Sequence, residues 1–128
     1  MNFTSIRNKI VSLTAEDWHR RLQEIVDAQG YLLLTYREGG SVSQLLEALD
    51  QVLERARANF RDQEACMNDF SNDRDAAHLA AHHGILRQMG HVRIHIQNSS
   101  RDLLSQLLFL DRWLMTHIID ELLAPIYG

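Results

Sequence analysis

The chain has 128 residues, 45% of them hydrophobic, and its 13 basic and 17 acidic side chains give a formal net charge of −4. This length and composition predict one globular domain with a single core. The acidic balance, without a basic run longer than a dipeptide, argues against nucleic acid or an anionic membrane as a partner.

The N-terminal residues lack the apolar core of a signal peptide, and no stretch reaches the ~18 uninterrupted apolar residues of a membrane span. The single cysteine, Cys66, excludes an internal disulfide. We therefore expect a cytoplasmic protein. Residues 1–13 are predicted to form a short N-terminal arm that packs on the rest of the domain or covers one end. Its apolar side chains are Phe3, Ile6, Ile10 and Val11.

Breaker residues divide residues 14–128 into four predicted helices. The boundaries are Gly39 and Gly40, Ser71 to Asp73, Asn98 to Ser100, and Pro125 after the last helix. The short connections favour antiparallel neighbours, and β-type alternation of useful length is missing from the sequence. The pattern predicts an all-α fold, an antiparallel up-down-up-down four-helix bundle.

Three of these helices begin with the sequence pattern of a capping box, in which a Ser or Thr is followed three residues later by a side chain that can accept a hydrogen bond from its backbone N–H. The pairs are Thr14 with Asp17, Ser41 with Gln44, and Ser99 with Asp102. The third helix has no clear box.

Polar side chains continue the core-facing stripe of every predicted helix. They are His19 in the first helix, Asn59 and Gln63 in the second, His78 and His82 in the third, and His117 and Glu121 in the fourth. Since neighbouring helices are antiparallel, these side chains should meet at one end of the bundle. The same alignment places Leu22 and Val26 on the stripe of His19.

A buried polar cluster needs ligation or hydrogen bonds, because each unpaired group in an apolar core costs about 1–3 kcal/mol. A metal ion is one solution, since imidazole is a common ligand and the HxxxH pair His78 and His82 places both rings on one side of a helix. A hydrogen-bonded cluster with buried water is the alternative.

Four segments, taken in order, resemble the hemerythrin family, in particular its short bacterial members. They are WHRRL around His19, FRDQEACM from Phe60, HLAAH from His78, and FLDRWLMTHI, which includes His117. The interval of 15 residues between Gln63 and His78 also fits the family. The resemblance implies a four-helix bundle with a non-haem diiron centre that binds dioxygen through five histidines and two bridging carboxylates.

The resemblance assigns His78, His82 and His117 to one iron and His19 to the other. Asn59, Gln63 and Leu122 stand where it implies a histidine, a bridging glutamate and a bridging aspartate. Without these three ligands, nothing but hydroxide would neutralise the four positive charges of two divalent ions. A complete diiron centre and reversible dioxygen carriage are therefore not expected.

The sequence leaves three hypotheses for function. In the first, His78, His82 and His117 bind one divalent ion, Fe or Zn, with His19 or Glu121 completing the site. In the second, the bundle is metal-free and serves in interaction or regulation with a protein partner that the sequence does not identify. In the third, Glu121 is a surrogate ligand in a diiron site that binds dioxygen. None of the three is an enzyme.

Overall fold

The computed structural model describes residues 15–67 and 73–123, and within these ranges the chain forms four α-helices. They are α1 (Ala15–Arg37), α2 (Val42–Cys66), α3 (Asp73–Gln97) and α4 (Leu103–Leu123). The N-terminal arm, Thr14 and Pro125 lie outside the described residues. None of the four helices combines the length and the apolar character that crossing a bilayer requires.

The helices follow one another around a bundle, because α1 contacts α2 and α4, and α3 contacts the same two helices. Arg21 near the start of α1 forms an ion pair with Asp62 near the end of α2. Further along α1, the Glu24 carbonyl accepts a hydrogen bond of 3.0 Å from Arg55, which lies earlier in α2. Helix α3 contacts the end of α2 near its own beginning and the first half of α2 near its own end. The second half of α3 also contacts the beginning of α4. The predicted antiparallel four-helix bundle is confirmed.

The connection from α1 to α2 has the turn chemistry that its glycines predict. The Gly40 amide donates to Thr35 O at 2.8 Å, and the Gly39 amide donates to Tyr36 O at 3.0 Å. Gly39 has φ 76°, a conformation that a residue without Cβ adopts at little cost. Ser41 then begins α2 with the predicted capping box to Gln44, which is confirmed.

The capping box predicted at Ser99 is wrong. Ser99 lies in the turn that ends α3, and it does not begin α4. Ser99 has φ 48°, and the amides of Ser99 and Ser100 donate to carbonyls in the last turn of α3. The hydroxyl of Ser100, not that of Ser99, accepts from the Asp102 amide at 3.1 Å. The last carbonyls of α3 have no partner within the helix, and hydrogen bonds to them stabilise this turn more than a start of α4 at Ser99 would.

Aliphatic stripes of α2, α3 and α4 form the core. Their buried members are Leu45, Leu49, Val52 and Ala56 in α2, Ile85, Met89, Val92 and Ile96 in α3, and Leu103, Leu107, Leu110 and Leu114 in α4. Full burial of one such Leu or Ile contributes about 1.5–3 kcal/mol. Gln29 of α1 is also fully buried, and its amide has no hydrogen-bond partner within the described ranges.

The predicted core-facing stripe of α1 is wrong by one residue. Trp18 is 2% exposed, and Leu22 and Ile25 are buried with it. His19 is exposed and Val26 is half-buried. A shift of one position turns a helix by about 100°, and the indole buries more apolar area than the imidazole. Trp18 therefore faces the core, and His19 is turned away from it.

Candidate metal site

Two helices bring four ionisable side chains together at one end of the bundle. His78 and His82 come from the start of α3, and His117 and Glu121 come from the end of α4. One potential ligand atom of each lies within 4.8 Å of those of the others. Each pair is spaced by four residues, which places both members on one face of their helix. His82, His117 and Glu121 are buried, whereas the His78 side chain is 17% exposed.

The three imidazoles are steeply inclined to one another and fixed by packing. The His78 and His82 ring centroids are 4.4 Å apart with an interplanar angle of 78°, and those of His82 and His117 are 4.9 Å apart at 76°. Phe60 of α2 stacks on His82 at 4.0 Å and meets the His117 ring edge-to-face at 5.4 Å. This packing directs nitrogen atoms of different rings toward a common point.

Gln63 of α2 lies in the middle of the cluster and is fully buried. Its Nε2 donates to Glu121 Oε2 at 2.7 Å, which fixes the orientation of the amide. Its Oε1 then lies 3.0 Å from His78 Nε2 and 2.9 Å from His82 Nε2. The side chain that replaces a carboxylate in the family pattern therefore still presents an oxygen to two imidazoles.

Glu64 supports His82 from the opposite side of the ring. Its Oε2 lies 3.1 Å from His82 Nδ1, where a carboxylate accepts an N–H, and in the tautomer with hydrogen on Nδ1 the lone pair of the ring is on Nε2. That lone pair then faces Gln63 Oε1, another acceptor. Two acceptors this close repel unless a proton or a cation lies between them.

His117 Nε2 and Glu121 Oε1 are two further buried polar atoms of the same cluster. They are in close contact, yet neither has a hydrogen bond within the described part of the chain. Glu121 Oε1 also lies 3.8 Å from His82 Nε2 and 3.9 Å from His78 Nε2. Buried atoms without hydrogen-bond partners that converge in this way fit a bound cation.

The electrostatics keep Glu121 and His78 in their metal-binding forms near neutral pH. Burial raises the pKa of Glu121, but contacts with His117, His82 and Gln63 outweigh burial and lower this pKa to about 2. Burial lowers the pKa of His78, and the neighbouring His82 and His117 lower it further, to about 4, against the attraction of Glu121. At pH 7 the carboxylate is charged and the His78 imidazole is neutral.

The positions of the second metal ion in the family pattern are not assembled in the same way. His19 is exposed and does not belong to the group of four ligands. Asn59 is buried, with no hydrogen bond to its amide within the described ranges. The side chain of Leu122 lies outside what the structure describes. Of the five predicted ligands, the structure brings together His78, His82, His117 and Glu121.

An open cleft connects the cluster with the surface between α3 and α4. Its volume is about 340 Å³, and its lining residues are Arg74, Ala77, His78, Ala81, His117, Asp120 and Glu121. Asp120 is exposed at this cleft. Three of the four potential ligands are therefore within reach of an ion that enters from solvent.

The core-facing stripe of the second helix correctly placed Gln63 inward and did not include Glu64, the next residue, which in the structure contacts His82 from outside the cluster. Chemistry could have predicted an acceptor such as Glu64 near His82, since the second nitrogen of a metal-binding imidazole usually donates its N–H to a carboxylate, a carbonyl or water. The other HxxxH pair, His91 and His95, has one exposed and one half-buried member. Spacing alone therefore does not make such a pair a site.

No family model, no curated protein and no solved structure matches this chain.

Proposed function

We propose that this chain binds one divalent metal ion, Fe²⁺ or Zn²⁺, through His78, His82, His117 and Glu121. The convergence of three imidazoles and one buried carboxylate, with potential ligand atoms within 4.8 Å of one another, supports this proposal most strongly. Ligands at about 2.0–2.2 Å from a tetrahedral ion are about 3.3–3.6 Å apart. The distances of 3.8 and 3.9 Å from Glu121 Oε1 to two of the imidazoles need little contraction to reach that range.

The charges of the site favour one ion over two. Glu121 supplies one negative charge as a ligand, and Glu64 supplies a second against the back of His82. These two carboxylates balance one divalent cation. A second ion would add two positive charges beside the neutral amides of Asn59 and Gln63, at a high cost of desolvation. The third hypothesis, dioxygen binding at two irons, is therefore not favoured.

We further infer that the bundle is a hemerythrin-like protein that has kept the ligands of one iron. Support comes from the order and spacing of the four motifs and from their position in a four-helix bundle. The exposed His19 and the amides of Asn59 and Gln63 argue against the other half of the centre. The ionisable groups of the cluster serve as ligands or support one, so we propose a metal sensor or storage protein rather than an enzyme.

Metal analysis of the protein purified without chelator tests this function, and the chain contains its own matched control. Wild type and H91Q/H95Q, which changes the other HxxxH pair of α3, should each carry about one equivalent of metal. H78Q/H82Q should carry far less. Added Zn²⁺ at about 100 times its Kd should stabilise wild type by about 2.7 kcal/mol and leave H78Q/H82Q unchanged. Metal-free wild type whose melting ignores Zn²⁺, Fe²⁺ and Mn²⁺ would contradict the proposal.

A metal-free interaction or regulatory bundle is the second candidate, and the hydrogen bonds of Gln63 favour it. Gln63 contacts His78, His82 and Glu121 at 2.7 to 3.0 Å, which are hydrogen-bond distances. In this case the melting temperature of H78Q/H82Q should remain close to that of wild type in the presence of a chelator. Wild type should then also show no metal-dependent stabilisation, which separates the two candidates.

A further inference from the structure

Gly84 lies in the middle of α3, at a point where the bundle leaves no room for a side chain. A Cβ added to Gly84 would lie 2.7 Å from both Cη2 and Cζ2 of Trp113 in α4. Gly84 is buried, and Trp113 is half-buried. Glycine in the interior of a helix is less favourable than alanine, because it loses more backbone freedom on folding. The close approach of the indole gives a physical reason for glycine at this position.

Gly90 of the same helix is in the opposite situation. It is exposed, and a Cβ at this position would meet no atom of the described residues within 4 Å. Packing therefore requires glycine at position 84 but not at position 90. The two glycines form a matched pair for substitution by alanine.

The contact between Gly84 and Trp113 adjoins the metal cluster on both helices. Gly84 follows His82 by two residues in α3, and Trp113 precedes His117 by four residues, about one turn, in α4. The ring centroids of His82 and His117 are 4.9 Å apart. The side chains at a helix contact set the distance between the two helix axes. This contact is therefore placed to control the separation of the two helices that carry the potential ligands.

Two further contacts restrain the Trp113 indole. Its ring meets Phe109 edge-to-face, with the centroids 5.7 Å apart and an interplanar angle of 72°. The side chain also packs against the hydrophobic core. In a densely packed interior such contacts oppose a rotation of the indole away from Gly84. A methyl group added at Gly84 should therefore press α3 and α4 apart.

The displacement would be large for a metal site. An ordinary contact begins at 3.4 Å, so a methyl group on Gly84 and the indole would have to separate by about 0.7 Å from the present 2.7 Å. Distances between a metal and its ligands vary by only about 0.2 Å. Once α3 and α4 take up this displacement, His82 and His117 no longer reach one ion at bonding distance.

We propose that Gly84 and Trp113 are positioning residues for the metal site, and that their contact holds α3 and α4 at the separation at which His82 and His117 bind one ion. This inference rests on the proposed function. Neither residue belongs to the group that could hold the ion, so their effect is on the distance between ligands and not on ligand chemistry.

Competition between the full chain and a chromophoric chelator for Zn²⁺ tests this role, together with urea titrations of the metal-free proteins. G84A should bind Zn²⁺ about tenfold or more weakly than wild type. G90A is the control and should bind Zn²⁺ within about twofold of wild type. It should also unfold at a higher urea concentration, because alanine reduces the freedom of the unfolded chain. A folded G84A that binds Zn²⁺ as tightly as wild type would show a purely structural role and overturn the proposal.

W113L tests the other side of the contact without adding bulk, so it also decides the question where G84A does not fold. Leucine lacks the two atoms that lie closest to Gly84, and Zn²⁺ affinity should fall about tenfold because the helix separation is no longer fixed. In G84A/W113L the added methyl group has room, so the double variant should bind Zn²⁺ no more weakly than W113L. Equal affinities of wild type and W113L, or losses that add in the double variant, would contradict the positioning role.

The same measurements separate this inference from the proposed function. Wild type that takes up about one equivalent of Zn²⁺, with G84A and W113L equal to it in affinity, overturns the positioning role and leaves the metal site in place. Wild type that binds no Zn²⁺ contradicts the metal site, and the positioning role is then overturned with it.

Discussion

The support of His82 by Glu64 leads to a quantitative prediction for metal affinity. Glu64 Oε2 lies 3.1 Å from His82 Nδ1, and the His82 ring is fully buried. Glu64 itself is half-exposed at the end of α2. Replacing it by Gln keeps an acceptor of the same shape at Nδ1 and removes the negative charge. The packing of His82 on Phe60 should therefore survive in E64Q, while the basicity of Nε2 and the charge balance of the site decrease.

The expected loss of Zn²⁺ affinity follows from the role of a carboxylate that accepts a hydrogen bond from a metal-binding histidine. Removing the group behind a metal-binding histidine costs 10- to 100-fold in affinity, or about 1.4–2.7 kcal/mol. E64Q keeps the hydrogen bond, so we expect about tenfold. E64A loses both hydrogen bond and charge, so we expect about 100-fold. Competition between the protein and a chromophoric chelator for Zn²⁺ near neutral pH measures both values.

Glu54 provides the control, because it is exposed on the same helix about three turns earlier. E54Q changes the net charge of the protein by the same amount as E64Q and should leave the Zn²⁺ affinity within about twofold of wild type. Equal affinities of wild type, E64Q and E64A would refute the reasoning, because the carboxylate would then not support a His82 that binds through Nε2.

Further predictions concern stability. Q63E should lower the unfolding free energy of the metal-free protein by about 1–3 kcal/mol, because a carboxylate would face Glu121 instead of donating to it; Zn²⁺ should reverse the loss in thermal melts. Q29M should raise stability by about 1–2 kcal/mol in urea titrations, since it removes a buried amide without partners among the described residues, and a decrease would count against this account.

Between pH 6.5 and the His78 pKa of about 4, the unfolded chain binds the additional proton. The contribution of His78 to stability is therefore fully present above pH 6.5 and should be lost as the pH falls toward 4; the same urea titrations of metal-free H78N should show a weaker pH dependence. S99G should stabilise by about 0.5–1 kcal/mol by relieving the φ of 48°, and an unchanged melting temperature would speak against strain at this turn.

The sequence predicts α2, α3 and α4 well because their stripes are aliphatic and evenly spaced. In α2, for example, Leu45, Leu49 and Val52 leave no competing face of similar apolar area. Burial of these side chains dominates the packing energy and therefore fixes the rotation of the helix. Once the rotation is fixed, the polar residues that continue the stripe follow, which is why His82 and His117 could be placed from spacing.

The first helix could not be predicted in the same way. The stripes that begin at Trp18 and at His19 both include Leu22, so spacing alone does not separate them. The family resemblance favours His19, whereas the area of the Trp18 indole favours the other stripe, and in the structure Trp18 is buried. A sequence pattern of period 3.6 leaves such a choice open whenever two adjacent residues can each fill the core.

The roles of Glu64 and Ser99 could not be predicted, because they depend on interactions with groups outside their own helix pattern. Glu64 lies beside the core-facing stripe of α2, and its role is apparent only when Nδ1 of the His82 ring, from α3, is placed next to it. Ser99 could begin α4 or end α3, and the carbonyls at the end of α3 decide the outcome. In both positions a tertiary or neighbouring-helix contact outweighs the local pattern.

The rotation of α1 by one residue also explains why the potential metal ligands come from α3 and α4 alone among the described residues. At the end of the bundle where the histidines meet, α1 contributes the indole of Trp18 instead of an imidazole. The nearby positions of α2 contribute the amides of Asn59 and Gln63. The charged and imidazole ligands therefore lie between α3 and α4, beside the open cleft. A cation between α3 and α4 would be balanced by Glu121, whereas one between α1 and α2 would lie beside the neutral side chains of Trp18, Asn59 and Gln63, so the group that could hold one metal ion lies between α3 and α4.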